Sequence, residues 1–208
     1  MDLCKNLSDH RELLRPLILM NSQMAKYGDM AVAGVGVAMK VTMMTGMVCI
    51  GLGQGVQPLL GYCVGARNWE RYKSALRFSL QFAFALSVVL TALCYLFTGQ
   101  IVSAFLTDAA AYDYGFAFSR ILLCTSFLFG VFYVLTNALQ ACGAATESFI
   151  VNISRQGLIY IPAMFLLGSI FHETGLIWAQ PVADVLSFLL AAVLYYRKSK
   201  TMIASTRS

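Results

Sequence analysis

Apolar residues along this chain come in long, unbroken blocks. They show neither the short alternation of a half-buried strand nor the narrow stripe of a surface helix. Residues 41–66 carry no charge over 26 positions, 78–107 none over 30, and 121–146 none over 26. Each block exceeds the ~20 apolar residues that a helix needs to cross about 30 Å of hydrocarbon. Two further blocks hold one charge apiece: 148–171 contains Arg155 and 174–196 contains Asp184. The pattern predicts five full spans, at about 31–63, 74–98, 112–140, 147–171 and 174–196. All are expected to be helices: the blocks are too long for barrel strands, and a helix satisfies its own backbone groups in lipid. A secretory signal peptide cannot explain these blocks, because they are internal and repeated.

The segment ahead of them is shorter. In LLRPLILMNSQMAKYG, residues 13–28, Pro16 suits the first turn of a helix and Gly28 its C-terminal end. Sixteen residues reach roughly 24 Å, and Arg15 lies inside the lower edge. The preceding MDLCKNLSDHRE is too charged to extend it through lipid. A partial span is expected here, as if the chain began inside a longer protein or its true start lay elsewhere. The expected organisation is a polar segment at 1–12, an all-α membrane bundle at 13–196 (five full spans and one partial span) and a cytoplasmic tail at 197–208. IVSAFLT, residues 101–107, reads either as a short interfacial helix outside or as a continuation of the span before it.

Composition agrees with the pattern. The chain is 59% hydrophobic and 12% charged, about half the charge of a soluble domain, with a mean hydropathy of +0.70. So little charge cannot cover a water-facing surface, and most of the exterior is expected to touch lipid. The net charge of +5 is too small and scattered for nucleic acid. Its placement matters more. Lys5, Arg11 and Arg15, then Arg67, Arg71, Lys73 and Arg77, then Arg197, Lys198, Lys200 and Arg207 fall at one set of ends. The other set carries Lys26 with Asp29, Asp108 and Asp113, and His172 with Glu173. The positive-inside rule then puts both termini in the cytoplasm of a multi-pass cell-membrane protein, provided the first segment also crosses.

Six cysteines, none in a C-x-x-C pair, and two histidines give no metal-ligand spacing and no disulfide frame; the cysteines read as small buried hydrophobes. There is no catalytic constellation, so no enzyme is expected. GLGQGVQPLLGYCVGARNWERYK, residues 51–73, is glycine-rich, but Val56 breaks G-x-G-x-x-G and the P-loop Lys-Ser/Thr is absent. Gly46, Gly51, Gly55, Gly61 and Gly65 are instead expected to let helices approach closely. Pro58 is expected to kink the helix, Gln54 and Gln57 to face protein or a water-filled cavity, and Trp69 and Tyr72 to sit at headgroup level.

The residues from 51 onwards carry a resemblance. GLGQGVQPLLGYCVGARNWERYKSALR resembles the segment joining the eighth and ninth helices of multidrug and toxic compound extrusion (MATE) transporters. YGDMAVAGVGVAMKV, residues 27–41, is similar to that family's connection between the seventh and eighth helices. NISRQGLIYIPAMFLL, residues 152–167, resembles its eleventh helix, and IWAQPVADVLSFLL, residues 177–190, its twelfth. Order and spacing match from about residue 13 to 196. The resemblance implies helices seven to twelve, one half of a two-lobe transporter that exchanges Na+ or H+ for organic, often cationic, compounds. It implies a missing amino-terminal six-helix lobe as partner and no cofactor. One branch of the family places acids in the seventh and tenth helices. The matching segments here hold Asn21 and Gln23, then Cys124, Thr125 and Ser126, so the coupling ion is expected in the other lobe. Two alternatives stay open: a lipid-linked oligosaccharide flippase of similar architecture, whose cavity should carry several cations (Lys40, Arg120 and Arg155 being the candidates), and a non-transporting truncated membrane fragment.

A charge at the bilayer centre costs roughly 2.5–3.5 kcal/mol on insertion scales, so each one requires an explanation. Lys40, Arg155 and Asp184 are candidates to line a substrate cavity, or else to form a structural pair of Lys40 or Arg155 with Asp184. Arg120 is placed to snorkel toward the outer surface. Met39, Met43 and Met47 share one helical face, and their soft thioethers suit varied apolar substrates or plain packing. Gln54 and Asn137 complete the cavity candidates. Asn137, Gln140, Asn152, Gln156 and Gln180 are expected to face inward, and a subset of Phe116, Phe118, Phe127, Phe129, Phe132 and Tyr133 to stack on cations.

Overall fold

The computed structural model describes residues 20, 22–25 and 28–205, leaving aside the side chains of 170–173 and 200–205. Among the described residues there is no strand. The helices, in chain order, are α1 (Asp29–Gly65), α2 (Trp69–Leu96), α3 (Thr98–Phe105), α4 (Ala109–Ser126), α5 (Phe129–Ala141) and α6 (Ala145–Ile153). A π-helical turn, Ser154–Leu158, then leads into α7 (Tyr160–Ser205).

α1 is the axis of the bundle. It follows Gly28, whose φ of 106° suits glycine alone, and Asp29 in its first turn complements the helix dipole. Its close contacts are made at two glycines. A Cβ on Gly34 would lie 2.8 Å from Tyr114 Cβ and 2.9 Å from the Gly115 nitrogen. A Cβ on Gly53 would lie 2.7 Å from Asn137 Nδ2 and 3.1 Å from the Tyr133 carbonyl oxygen. The expected set is corrected here: Gly51, Gly55, Gly61 and Gly65 have nothing within 4 Å of a built Cβ, and Gly46 only Phe129 at 3.9 Å. Gly46 shares the packed face with Gly53, seven residues on, and is buried, whereas the other four turn away from it.

The charged linker is a helix stop followed by a helix start. The Asn68 N–H donates to Cys63 O and the Arg67 N–H to Val64 O, the paired bonds of a left-handed C-terminal cap. Arg67 itself takes φ 52°. The Asn68 side chain then accepts from the Arg71 N–H at 3.0 Å and caps α2. On α2 only Tyr72, Leu76, Ser79, Ala83 and Ser87 are buried, at spacings of three and four, so a single narrow stripe faces the bundle. Tyr72, in the first turn of α2, is 4% exposed and packs inward. Its hydroxyl lies 3.2 Å from Cys142 Sγ and 3.4 Å from the Tyr195 hydroxyl.

The expected span 112–140 is two helices, α4 and α5, bent by 47° at residues 127–128. The Ser87 hydroxyl donates to the Phe127 carbonyl at 2.7 Å, which satisfies a backbone acceptor at the break. Beside it Gly130 packs on Ala83: a Cβ there would lie 2.8 Å from the Ala83 carbonyl carbon. Among the described residues, four helical segments are therefore long and apolar enough to cross a membrane unbroken, and five if the bent pair counts as one span.

The last two expected spans form a hairpin. α7 is helical throughout, yet a Cβ on Gly168 would lie 2.9 Å from Leu176 Cδ2. In a straight helix eight residues span about 12 Å, so the chain reverses between these two positions. The returning arm runs to Ser205, so the expected tail from 197 continues as helix. Of the two readings of 101–107, a separate short helix is the one found: α3 starts at Thr98, three residues earlier. The expected partial span falls largely outside the described residues. Of it, Met20 and Met24 are fully buried against Val35, Phe118, Tyr160, Met164 and Ile177.

Candidate functional site

The bundle leaves a groove of about 310 Å³ beside α1. Met39, Thr42, Met43, Gly46, Met47 and Ile50 form its α1 wall, at the three- and four-residue spacing of one helix face. Phe129 and Tyr133 of α5, Leu122 of α4, Arg155, and Tyr160, Ile177 and Gln180 of α7 form the rest, with Val35 and Met20 at one edge. Met43 and Met47 are 59% and 60% exposed, and their unbranched thioether side chains can adapt to varied shapes.

One charge cluster lies under this surface. The Arg155 Nε donates to Asp184 Oδ1 at 2.8 Å, and its Nη1 donates to the Tyr133 hydroxyl at 2.8 Å. Asp184 also accepts from Gln180 Nε2 at 3.3 Å and from the Thr125 hydroxyl at 3.5 Å. The guanidinium lies 4.5 Å from the Phe129 ring centroid, 5.2 Å from that of Phe132 and 5.6 Å from that of Tyr133. The side chains of Arg155 and Asp184 are 12% and 2% exposed. The pair is thus buried, hydrogen-bonded and neutral as a unit, the condition under which charges are tolerated inside a low-dielectric interior. Among the described residues no group of three or more His, Cys, Asp or Glu could hold a metal ion.

The sequence candidates separate into two groups. Met43, Met47 and Arg155 line the groove, and Asp184 lies directly behind Arg155. The other three lie outside its lining. Lys40 lies at the edge of the Met43 and Met47 face, one turn before Met43, but it is exposed and turns from the groove, with Nζ 5.3 Å from the Phe105 ring centroid on α3. Gln54 is exposed on the Met47 face, but seven residues further on and beyond the groove's end at Ile50. Asn137 is 8% exposed, and its amide donates to its own helix at Tyr133 O, 2.8 Å away. Gln57 is half-buried, Gln156 is exposed, and exposed Gln140 donates to Ser148 Oγ at 2.9 Å. Tyr160 and Ile177 were not singled out in the sequence, because an apolar or aromatic residue inside a lipid-spanning block carries no local mark of facing a groove.

A family model, MatE, matches residues 17–166. The multidrug export protein MepA of Staphylococcus aureus (strain NCTC 8325 / PS 47) is 28% identical over 179 residues, which is 86% of this chain and 39% of that protein. A solved mutant of the Vibrio cholerae MATE transporter VcmN superposes with a TM-score of 0.81 at 14% identity, over 96% of this chain and 48% of the other. The MATE multidrug transporter DinF-BH, solved with a ligand bound, gives 0.74 at 33% identity, over 86% and 41%. The chain spans about two fifths to a half of the length of each.

Proposed function

The chain belongs to the MatE family, and from that premise we propose that it forms the carboxy-terminal lobe of a multidrug efflux antiporter. In this reading the whole transporter exports organic, often cationic, compounds in exchange for Na+ or H+. The coupling ion binds in the amino-terminal six-helix lobe, and both termini of this chain lie on the cytoplasmic side of the cell membrane. The observation that carries the reading is the groove itself. Its α1 wall is a stripe of soft methionines, the opposite wall is aromatic, and its one charged unit cancels internally. Such a surface rewards apolar bulk without demanding one shape. An organic cation meets no net repulsion there, and the rings of Phe129 and Tyr133 offer it π faces.

The groove disfavours the flippase reading. An anionic pyrophosphate carrier calls for several unpaired cations, whereas among the described residues lining the groove Arg155 is the sole cation and is neutralised by Asp184. The experiment is reconstitution in proteoliposomes with an imposed Na+ or H+ gradient and a rhodamine dye. Residues 1–208 alone should export nothing, because the cavity needs two facing lobes. Adding the amino-terminal lobe of a MATE relative should restore export. Export by the chain alone, or none with the second lobe, overturns the proposal. Met43→Ala and Met47→Ala should each weaken dye binding roughly fivefold, since each removes about half of a side chain's worth of burial, near 1 kcal/mol. Unchanged affinity would remove the methionines from the binding surface.

A further inference from the structure

A second built feature lies away from the groove, on the flank of α2. α2 is the least buried span: 17% of its most apolar window is covered, against 28–44% for the other unbroken spans. Phe78, Phe82, Val89 and Leu93 stand exposed along it, a surface suited to hydrocarbon. Between α2 and α4 a crevice of about 440 Å³ opens, with Val88, Ala92, Leu96, Leu123 and Phe127 among its walls. At one end of it the Arg120 guanidinium lies 4.8 Å from the ring centroid of Tyr95, itself a wall residue, and 4.4 Å from that of Phe116. Tyr95 is one residue from the end of α2, the end remote from the basic linker, where a span reaches headgroup depth.

Arg120 is exposed and, among the described residues, has no acidic partner. The two rings orient the guanidinium, and its N–H edges are left to hydrogen-bond an anion. Thr91, one helical turn below Tyr95 in the same wall, has a buried hydroxyl with no hydrogen-bond partner. A guanidinium at headgroup level and an apolar crevice beyond it match, in order, a phosphate and an acyl chain.

We propose that the crevice between α2 and α4 is a binding site for a diacyl phospholipid, with the phosphate on Arg120 and one acyl chain between the helices. The inference rests on the membrane placement of α2 and is independent of what the transporter exports. The delipidated full chain in mild detergent is titrated with phosphatidylglycerol, with diacylglycerol of the same chains and with inorganic phosphate, and bound species are read by native mass spectrometry. Phosphatidylglycerol should be retained about tenfold better than diacylglycerol, the scale of one charge-assisted hydrogen bond. Arg120→Gln should abolish that preference. Ala92→Phe, which narrows the crevice and leaves Arg120 in place, should weaken both lipids. Equal retention of the two lipids overturns the proposal. So does displacement of phosphatidylglycerol by inorganic phosphate, or a loss confined to one of the two variants.

Discussion

Asp184→Ala leaves the Arg155 guanidinium beneath its aromatic rings without a counter-charge. The side chains are 12% and 2% exposed, so the water-screened regime, in which a surface pair is worth about 0–1 kcal/mol, does not apply. Removing one partner of a buried pair costs about 3–5 kcal/mol, because an uncompensated charge remains. Arg155 keeps its bond to Tyr133 and its place over Phe129 and Phe132, and cation–π contacts are worth about 0.5–2 kcal/mol, so the low end, near 3 kcal/mol, is expected. For a chain of this length 1 kcal/mol moves Tm by about 2–4 °C, giving a fall of roughly 6–12 °C. The double variant R155M/D184L removes both charges and fills similar volume; it should return to within about 1 kcal/mol of the parent or exceed it. The assay is the folded fraction after heating in mild detergent, read by size-exclusion chromatography. A fall of less than about 2 °C for D184A, or a double variant as unstable as D184A, would refute a buried pair whose halves depend on each other.

Two further outcomes follow from packing and exposure. Gly53→Ala places a Cβ 2.7 Å from Asn137 Nδ2 and 3.1 Å from Tyr133 O. It should destabilise by about 1–3 kcal/mol through overpacking, whereas Gly51→Ala, with open space around it, should gain about 0.5–1 kcal/mol of helix propensity; equal shifts in the same heating assay would deny Gly53 its role. Cys124 is exposed on the crevice between α2 and α4 while Cys49 and Cys63 are buried, so in the delipidated, detergent-purified chain the membrane-permeant N-ethylmaleimide should modify Cys124 well before either, and comparable rates by peptide mass spectrometry would contradict the packing of α1.

Charge-free blocks gave the spans because lipid acts as a solvent that every residue in a block must satisfy at once. The break at 127–128 left no such trace. FLFGVFY is apolar on both sides of it, and the bend depends on Ser87 from another helix reaching the Phe127 carbonyl. The methionine face was legible because periodicity alone fixes which side chains of one helix point together. Asp184 and Arg155 were legible as costly charges, and the choice of Arg155 over Lys40 was not. That choice turns on which helix lies opposite, and a hairpin turn between Gly168 and Leu176 decides it. Gln54 and Asn137 show the same limit: polarity in a span says that a partner exists, and only packing says whether it is a groove, a glycine or the helix's own carbonyl.

The π turn and the ion pair depend on each other. The Ile159 N–H donates to Ser154 O at 2.9 Å, five residues back, so the turn holds one residue more than an α-helix would. Such insertions are rare and cluster at functional sites. Removing the extra residue would turn everything on one side of it by about 100° relative to the other. Arg155 lies inside the turn and Tyr160 just after it, and both line the groove. In a regular helix the two could not keep their present directions together: if Tyr160 stayed packed against Met164 and Ile177, the Arg155 guanidinium would swing away from Asp184. The buried pair therefore stabilises the π turn, and the turn aims the pair. A deletion of Gly157, which restores α-helical register, should cost about as much as D184A, and adding D184A to it should cost little more. If the two losses sum instead, the turn and the pair are independent.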